Sequence, residues 1–405
     1  MKVLQINSTV NMGSVGRRAE EIGNMLLEKG DESFIGVSSR IPRPSNSQLI
    51  TIGNQTDVFF HGIKSRLFDA HAFGSKGATE NFIDKIKELK PDIIHLRNLH
   101  GYYINIEVLF NFLETAGIPV VWTFYDCWAF TGHCAYFDRV NCNKWKTQCY
   151  DCPLTKAYPG SLGYDNSKVN YKRKKTLFNS VEKMVLVGTC NWIGNLIKES
   201  FLKKYPVKVI YDGVDTGVFN PNINTQFLKD KLGIEASQKI VLGSANIWDW
   251  RKGLSDFIEI NKDLNDDIKI LLVGLTKEQQ KDLPSNIVGI DRTDSLEELA
   301  TLFALADVFV NPTYVDNFPT TNLEALASGT PVVTYKTGGC PEAVDENTGI
   351  VADKGNKREL VDAILKIIKD GKDKYVIPCR KRALDNFDKT DNNEAYYDIY
   401  KAFLI

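Results

Sequence analysis

The chain has 405 residues, of which 43% are hydrophobic and 25% charged, as in globular water-soluble proteins. A chain of this length usually divides its hydrophobic core, so we expect two domains. Because the formal net charge is only −1 and the basic residues are spread along the chain, the composition argues against a nucleic-acid partner.

Apolar runs and helical patterns alternate through the first half of the chain. After the first apolar run, a helical pattern spans residues 15–29. The runs are apolar throughout rather than alternating, which predicts a parallel sheet with both faces covered. They are KVLQIN from Lys2, DIIHL from Asp92, IPVVWTF from Ile118, MVLVGT from Met184 and VKVIYDG from Val207.

The same pattern restarts after a Gly-, Asp- and Pro-rich linker at residues 211–222. Two such series predict two doubly wound, Rossmann-like α/β domains with a ligand cleft between them. We place the first domain at residues 1–215, the second at 216–385 and a C-terminal helix returning to the first domain at 386–405. The second set of strands is KIVLGSA from Lys239, IKILLVG from Ile268, NIVGI from Asn286, DVFVNP from Asp307 and TPVVTY from Thr330.

Location is predicted from apolar runs and from charge. No run reaches the ~18 apolar residues of a membrane span, and MKVLQINST is too short and mixed for a signal peptide. We therefore expect a cytoplasmic protein. The basic run YKRKK at residues 171–175 is interpreted as a solvated helix face, with a weak role at an anionic membrane surface as the alternative.

Two acids, Asp316 and Glu324, follow the strand that ends at Pro312. In one interpretation Asp316 only turns a loop and Glu324 completes a Thr321-x-x-Glu324 capping box. In the other, both acids accept hydrogen bonds from hydroxyls beside the helix start, where the backbone N–H groups favour an anion. A ligand with phosphate and hydroxyl groups, such as a nucleotide sugar, suits the second interpretation.

The segment also carries a family pattern. Asp316-Asn317-Phe318-Pro319 is followed by Glu324-Ala325, then by SGTPVV from Ser328 and GGCPE from Gly338. This order and spacing resemble the E-x7-E region of retaining glycosyltransferases of family 4, which have the GT-B fold. The chain departs from that family at Asp316, where Glu is usual, and at Asn317 and Pro319, where Gly is usual.

The resemblance implies a role for each acid. Glu324 would hold the ribose hydroxyls of a nucleotide diphosphate sugar, and Asp316 a hydroxyl of the donor sugar. The residues between the acids are expected to line the same site. They are Asn317, Phe318, Thr320, Thr321 and Asn322.

Lys252, in WRKGLSDFI, is similar to the family's diphosphate lysine. A cation is needed there because negative charge builds on the leaving diphosphate. The family usually has an Arg six positions earlier, where this chain has Asn246, and the neighbouring Arg251 is the substitute we consider. The sequence has no Asp-x-Asp, so we expect catalysis without a metal ion.

On the first domain, the family commonly has Thr-x-His-Asp where this chain has Thr123-Phe-Tyr125-Asp. Tyr125 would position the donor sugar while the leaving phosphate takes the acceptor proton; a buried strand-end aromatic is the alternative. The resemblance implies acceptor-side roles for Arg97 and His100. His95 is equally well a core histidine. Gly13-Ser14 stands where the family has a Gly-Gly loop.

Four cysteines follow with the spacing C-x7-C-x6-C-x2-C. The last pair is a Cys-x-x-Cys knuckle, which suits a structural zinc ion that would order an insert at about residues 126–165. Free thiols, disulfides and an iron–sulfur cluster are the alternatives. The four residues are Cys134, Cys142, Cys149 and Cys152.

The resemblance therefore implies a retaining glycosyltransferase, and the missing Asp-x-Asp predicts that it is metal-independent. By resemblance it would use a nucleotide diphosphate sugar and a saccharide or lipid-linked acceptor in bacterial surface polysaccharide (capsule) biosynthesis, with peripheral association at the inner membrane face. The alternatives are another GT-B enzyme, such as an epimerase or phosphorylase, and a nucleotide-sugar-binding protein whose transfer chemistry has decayed.

Overall fold

The computed structural model describes residues 1–40 and 43–404. Ile41, Pro42 and Ile405 fall within the predicted domain ranges and lie outside the described residues. The chain divides into two compact units, the first comprising Met1–Ile210 and Asn393–Ile405 and the second Tyr211–Asn392.

The first unit is a seven-stranded parallel sheet in the order β3-β2-β1-β4-β5-β6-β7. Its strands are β1 Lys2–Asn7, β2 Glu32–Ser38, β3 Gln48–Ile52, β4 Ile93–Leu96, β5 Val120–Phe124, β6 Met184–Gly188 and β7 Val207–Val209. Its helices are α1 Gly13–Glu28, α2 Gln55–Phe68, α3 Lys76–Leu89, α4 Ile106–Ala116, α5 Ser167–Phe178 and α6 Asn191–Glu199.

The second unit is a six-stranded parallel sheet in the order β10-β9-β8-β11-β12-β13. Its strands are β8 Lys239–Ser244, β9 Ile268–Val273, β10 Ile287–Ile290, β11 Val308–Asn311, β12 Val332–Tyr335 and β13 Gly349–Ala352. Its helices are α7 Gln226–Leu232, α8 Leu254–Ile260, α9 Lys277–Lys281, α10 Leu296–Leu305, α11 Thr320–Ala327, α12 Lys357–Asp370 and α13 Asp373–Phe387, and the chain closes with α14 Lys389–Ala402.

Local sequence explains where several helices begin and end. The Ser295 side chain accepts from Glu298 N and starts α10, and Asn105 caps α4 in the same way. Helix α4 ends at Ala116 and is followed by Gly117, whose φ of 68° is a left-handed conformation that favours glycine. These short-range signals set the helix bounds, while burial of apolar faces holds the helices on the sheets.

The unit boundaries differ from the predicted 215/216 and 385/386 because the linker is bonded within the second unit. Val214 N donates to Phe387 O at 2.8 Å, and Lys389 N donates to Val214 O at 3.1 Å. The Lys389 ammonium also lies 2.5 Å from the Asp215 carboxylate. These bonds attach the 211–220 segment to the α13–α14 junction.

The C-terminal part of α14 belongs to the first unit. Tyr396 and Tyr400 are buried there in a cluster with Val3 and Ile22. The Tyr400 hydroxyl lies 2.6 Å from His95 Nδ1, and Thr123 Oγ1 lies 2.8 Å from His95 Nε2. His95 is therefore a core histidine with both ring nitrogens bonded, and burial lowers its pKa well below the usual value.

Candidate functional site

The two predicted donor-site loops leave adjacent strands of the second sheet. The Lys252 loop follows β8 and the Asp316 loop follows β11, and these strands are hydrogen-bonded neighbours although β9 and β10 lie between them in the chain. This is the topological switch point of a doubly wound sheet, where ligands bind at the carboxyl ends of strands.

The loop that carries Lys252 is fixed against the segment after β11. Arg251 O accepts hydrogen bonds from Tyr314 N at 2.7 Å and from Thr313 Oγ1 at 3.0 Å. Gly253 has a φ of 72°, and a Cβ there would lie 2.3 Å from Pro312 O. Only glycine therefore allows the two loops to approach so closely.

The structure brings Lys252 and Asp316 together. Lys252 Nζ lies 2.6 Å from Asp316 Oδ2, with side-chain exposures of 25% and 18%. Gly338 lies close against this loop, because a Cβ on it would lie 1.9 Å from Asp316 O. The ammonium is both paired and accessible, so an incoming phosphate would compete with Asp316 for it.

The other two residues predicted near the diphosphate, Arg251 and Asn246, differ from Lys252. Arg251 Nε lies 2.9 Å from Asp249 Oδ2, and Asp249 Oδ1 also accepts from Arg251 N. This local pairing fits a turn-stabilising role for Arg251. Asn246 is exposed on the loop after β8.

Glu324 does not take part in a capping box. Helix α11 begins at Thr320, its N-cap is Pro319, and it has no side-chain cap hydrogen bond. Thr321 therefore lies inside the first turn rather than at the cap, and the capping-box alternative is wrong. Glu324 is buried, with 9% exposure, so its carboxylate is held in a fixed place one helical turn after the loop of Asp316.

Three of the residues predicted between the acids are buried. Asn322 is fully buried, and its Oδ1 accepts from Asn311 Nδ2 at 2.9 Å. The buried Phe318 ring packs against Tyr211, with ring centroids 5.2 Å apart. Asn317 is also buried. We therefore expect these side chains to position the loop and α11, whereas Thr320 and Thr321 are half-buried at the helix start.

Sequence reasoning missed a buried carboxylate, Asp256, that fixes the donor loops. Its oxygens accept hydrogen bonds from the Tyr314 hydroxyl at 2.9 Å and the Tyr335 hydroxyl at 2.7 Å. Burial and this carboxylate raise the pKa of Tyr314 to about 12. Both tyrosines therefore remain donors at neutral pH, and helix α8 is tied to the segments around β11 and β12. The only sequence signal was an acid four positions after Lys252.

In the first unit, Tyr125 and Arg97 meet at the ends of β5 and β4. Arg97 Nη1 donates to the Tyr125 hydroxyl, and Arg97 Nε donates to Gln5 Oε1 at 2.9 Å. Arg97 is only 2% exposed. Its burial favours support of Tyr125 over direct contact with an acceptor.

His100 is likewise buried and joins a polar group after β5. Its Nε2 lies 2.7 Å from Asp126 Oδ2, and its Nδ1 lies 2.9 Å from the Tyr158 hydroxyl. The His100 ring therefore links the Asp126 carboxylate to the Tyr158 hydroxyl through its two nitrogens. Asp126 and Tyr158 were not predicted.

Gly13 and Ser14 are exposed at the first turn of α1. Gly13 has a φ of 66°, and nothing lies within 4 Å of a Cβ placed on it. The loop therefore has open space beside its backbone, as the predicted approach of a ligand requires.

The chain is similar to known glycosyltransferases along most of its length. Residues 224–382 match the family model described as Glycosyl transferases group 1. The second unit is a group 1 glycosyltransferase domain, and the chain has the GT-B fold. The chain is 23% identical over 382 residues to the putative colanic acid biosynthesis glycosyl transferase WcaC of Escherichia coli K12, covering 89% of each chain.

Two solved structures share this fold. Sucrose-phosphate synthase from Thermosynechococcus elongatus superposes with a TM-score of 0.74 at 16% identity, covering 99% of this chain and 98% of that one. Anabaena Alr3699/HepE in complex with UDP has a TM-score of 0.70 at 16% identity, covering 99% of this chain and 100% of that one. HepE was also solved with UDP-glucose. The group 1 domain contains Lys252, Asp316 and Glu324.

The cysteine-rich insert precedes the group 1 domain and contains short 3₁₀ turns rather than long helices. A small cavity of about 20 Å³ is lined by all four cysteines together with His133. Gly132 N donates to Cys149 Sγ at 3.3 Å. Across residues 1–40 and 43–404, however, no three His, Cys, Asp or Glu side chains are spaced as a metal-ligand set, and none of the four clustered cysteines forms a disulfide bond. Zinc binding stays a prediction.

Protein purified without added metal is expected to contain about one zinc ion per chain, because a closed Cys₄ site binds zinc tightly. Cys152→Ser should lose the zinc and lower the Tm. Cys379→Ser, at a buried cysteine of the group 1 domain, should keep the zinc even if the Tm falls. Elemental analysis of wild type below roughly half an equivalent would contradict the prediction.

Proposed function

We propose that this protein transfers a glycosyl group from a nucleotide diphosphate sugar to a saccharide or lipid-linked saccharide acceptor, with retention at the anomeric carbon. The observation that carries the proposal is the accessible Lys252–Asp316 pair at the switch point of the group 1 domain, with Glu324 on the following helix. The name of the colanic acid relative supports a setting in surface polysaccharide assembly, and the HepE complexes support a uridine nucleotide donor.

In the proposed reaction, the bond between the anomeric carbon and the phosphate oxygen breaks as the acceptor oxygen bonds to the same carbon from the same face. Negative charge develops on the diphosphate, and Lys252 is placed to stabilise it once it leaves Asp316. The acceptor proton passes to the departing phosphate oxygen. This scheme needs no side chain as general base, which suits Tyr125, since a phenol with a reference pKa of ~10 is a poor base near neutral pH.

The pairing of Lys252 with Asp316 suggests an exchange of partners during donor binding. When a diphosphate draws the ammonium away, the Asp316 carboxylate becomes available to accept a hydrogen bond from a sugar hydroxyl. Lys252 would thus be matched to the phosphates and Asp316 to the sugar of the same donor. Because Lys252 supplies the positive charge, we also propose that the reaction needs no metal ion.

UDP at 100 times its Kd is expected to stabilise the protein by about 2.7 kcal/mol, because ligand binding to the folded state shifts unfolding by mass action. Thermal-shift measurements with UDP, ADP and GDP would rank the nucleobases. Donor sugars should then be tested for release of nucleoside diphosphate with and without saccharide acceptors, in the presence of EDTA.

Each outcome of that screen has a separate meaning. Turnover in EDTA with a retained anomeric configuration, read by NMR of the product, supports the proposal as stated. Loss of turnover in EDTA with recovery in Mn²⁺ would overturn metal independence. Binding of nucleoside diphosphates without turnover of any donor would favour the decayed binding protein, for which the departures at Tyr125, Asn246 and Asp316 are the motivation.

A further inference from the structure

Helix α2 of the first unit places its apolar side chains outward. The side chains it buries are His61 and Ser65, both polar. Its large apolar residues are exposed, and we call them the α2 apolar face. They are Phe59 at 63%, Phe60 at 62%, Ile63 at 37%, Leu67 at 48% and Phe68 at 57% exposure.

The inverted orientation is fixed by hydrogen bonds on the buried side. His61 Nε2 accepts from Ala72 N at 3.1 Å and from Gly74 N at 3.3 Å. Ser65 Oγ lies 3.1 Å from His71 Nδ1. Rotating α2 to bury its phenylalanines would break these bonds. The helix is therefore held with its apolar face outward, the reverse of the usual pattern for a surface helix in water.

The exposed apolar surface continues beyond the helix. Leu162 N donates to Arg66 O at 2.7 Å, which places Leu162, 76% exposed, beside the C-terminal turn of α2. Tyr164, 55% exposed, follows two residues later. Large apolar and aromatic side chains with flanking cations are typical of surfaces that enter the headgroup region of a bilayer.

Exposed basic side chains lie on α5, the helix that begins beside the C-terminal end of α2. Asn166 N donates to Asp69 Oδ2 at 2.9 Å, so α5 begins where α2 ends. Lys168, Lys172 and Lys175 are exposed on α5 at i, i+4 and i+7, which is one helical face. Of the five Lys or Arg in residues 162–175, Lys174 is buried and Arg173 pairs with Glu107. The three exposed lysines, with one acid, Asp165, therefore give this segment its positive surface charge.

We propose that the α2 apolar face, with the exposed lysines of α5, docks on an anionic lipid bilayer. Charge decides between a membrane and a second copy of the chain. Anionic headgroups complement these cations, whereas a symmetric dimer through this face would bring two sets of them together. The docking is peripheral, since the described residues include no helix long and apolar enough to cross a membrane.

The proposal goes beyond sugar transfer, and its test is a binding measurement that does not depend on turnover. Flotation with phosphatidylcholine vesicles, with and without phosphatidylglycerol, measures the fraction of protein bound. Wild type should bind the anionic vesicles. Phe59→Ser/Phe60→Ser should reduce the partition coefficient at least about tenfold, because two exposed aromatic anchors are lost.

Two further variants separate the apolar and charged contributions. Lys168→Gln/Lys172→Gln/Lys175→Gln should reduce binding several-fold and weaken its salt dependence. Phe227→Ser is the matched control, since Phe227 is 78% exposed on α7 of the other unit and should leave binding unchanged. All substituted side chains are exposed, so each variant should keep the wild-type Tm.

Three results would overturn the proposal. One is the absence of wild-type binding to either vesicle. Another is equal loss of binding in the Phe227→Ser control and the Phe59→Ser/Phe60→Ser variant. The third is wild-type dimerisation in sedimentation velocity that Phe59→Ser/Phe60→Ser abolishes, without vesicle binding, which would assign the face to contact between copies.

Discussion

Lys252→Met is expected to lower the rate constant of donor cleavage by roughly 10²- to 10³-fold, the usual effect of removing one group that stabilises developing transition-state charge. The ground-state affinity for the donor should fall less, because the charge on the diphosphate grows as the glycosyl bond breaks. Single-turnover rates at saturating donor, set beside the donor Kd from calorimetry, would separate the two effects.

The Lys252–Asp316 pair requires a control for a structural role. Lys262→Met removes an exposed lysine of the same unit and should leave both rate and Tm unchanged. If Lys252 only held Asp316 in place, Asp316→Asn would lower the rate constant of donor cleavage as much as Lys252→Met does. The double variant would then be no slower than either single variant. A rate loss for Lys252→Met that is no larger than its effect on donor Kd would contradict the transition-state role.

Continuous apolar runs were sufficient to predict most of both sheets. The run at Lys2 coincides with β1, and those at Met184, Lys239 and Ile268 differ from β6, β8 and β9 by one residue. Sequence reasoning missed β2, β3 and β13. Strand β3 is at the sheet edge and has a mostly exposed or half-buried pattern, so it lacks the apolar signal of a central strand.

The candidate site was predicted residue by residue but not as pairs. Lys252 and Asp316 are 64 positions apart, and only the order in which β8 and β11 pair brings them to 2.6 Å. The Arg97–Tyr125 contact likewise depends on β4 lying beside β5. Such contacts depend on the order of strands in the sheet, and the spacing of residues along the chain does not reveal that order.

Burial of charge was the feature that pattern reasoning treated least well. The run at residues 171–175 was interpreted as a solvated face, yet Lys174 is 1% exposed and donates to Trp128 O at 2.7 Å. Burial lowers its pKa to about 7. Lys172 and Lys175 are exposed. The run forms part of a helix, so some of its side chains face the interior and others face solvent.

Glu324→Gln is expected to weaken UDP binding by roughly 10- to 150-fold, since hydrogen bonds to a charged group contribute about 1.5–3 kcal/mol. The burial of Glu324 keeps its carboxylate in place on a helix that begins at Thr320 without a side-chain cap. Calorimetric titration with UDP and with 2′-deoxy-UDP gives a direct test of the ribose contact. Wild type should prefer UDP, and Glu324→Gln should bind the two nucleotides about equally.

Thr321→Val is the matched control for that substitution. Because Thr321 lies inside the first turn of α11 and caps nothing, this variant should keep its Tm, whereas loss of a true cap would cost about 1 kcal/mol. Equal losses of Tm in Thr321→Val and Glu324→Gln, with UDP affinity unchanged, would contradict the ribose contact and support the capping-box interpretation instead. If Glu324→Gln weakens UDP and 2′-deoxy-UDP alike and wild type does not distinguish them, the carboxylate contacts another part of the nucleotide.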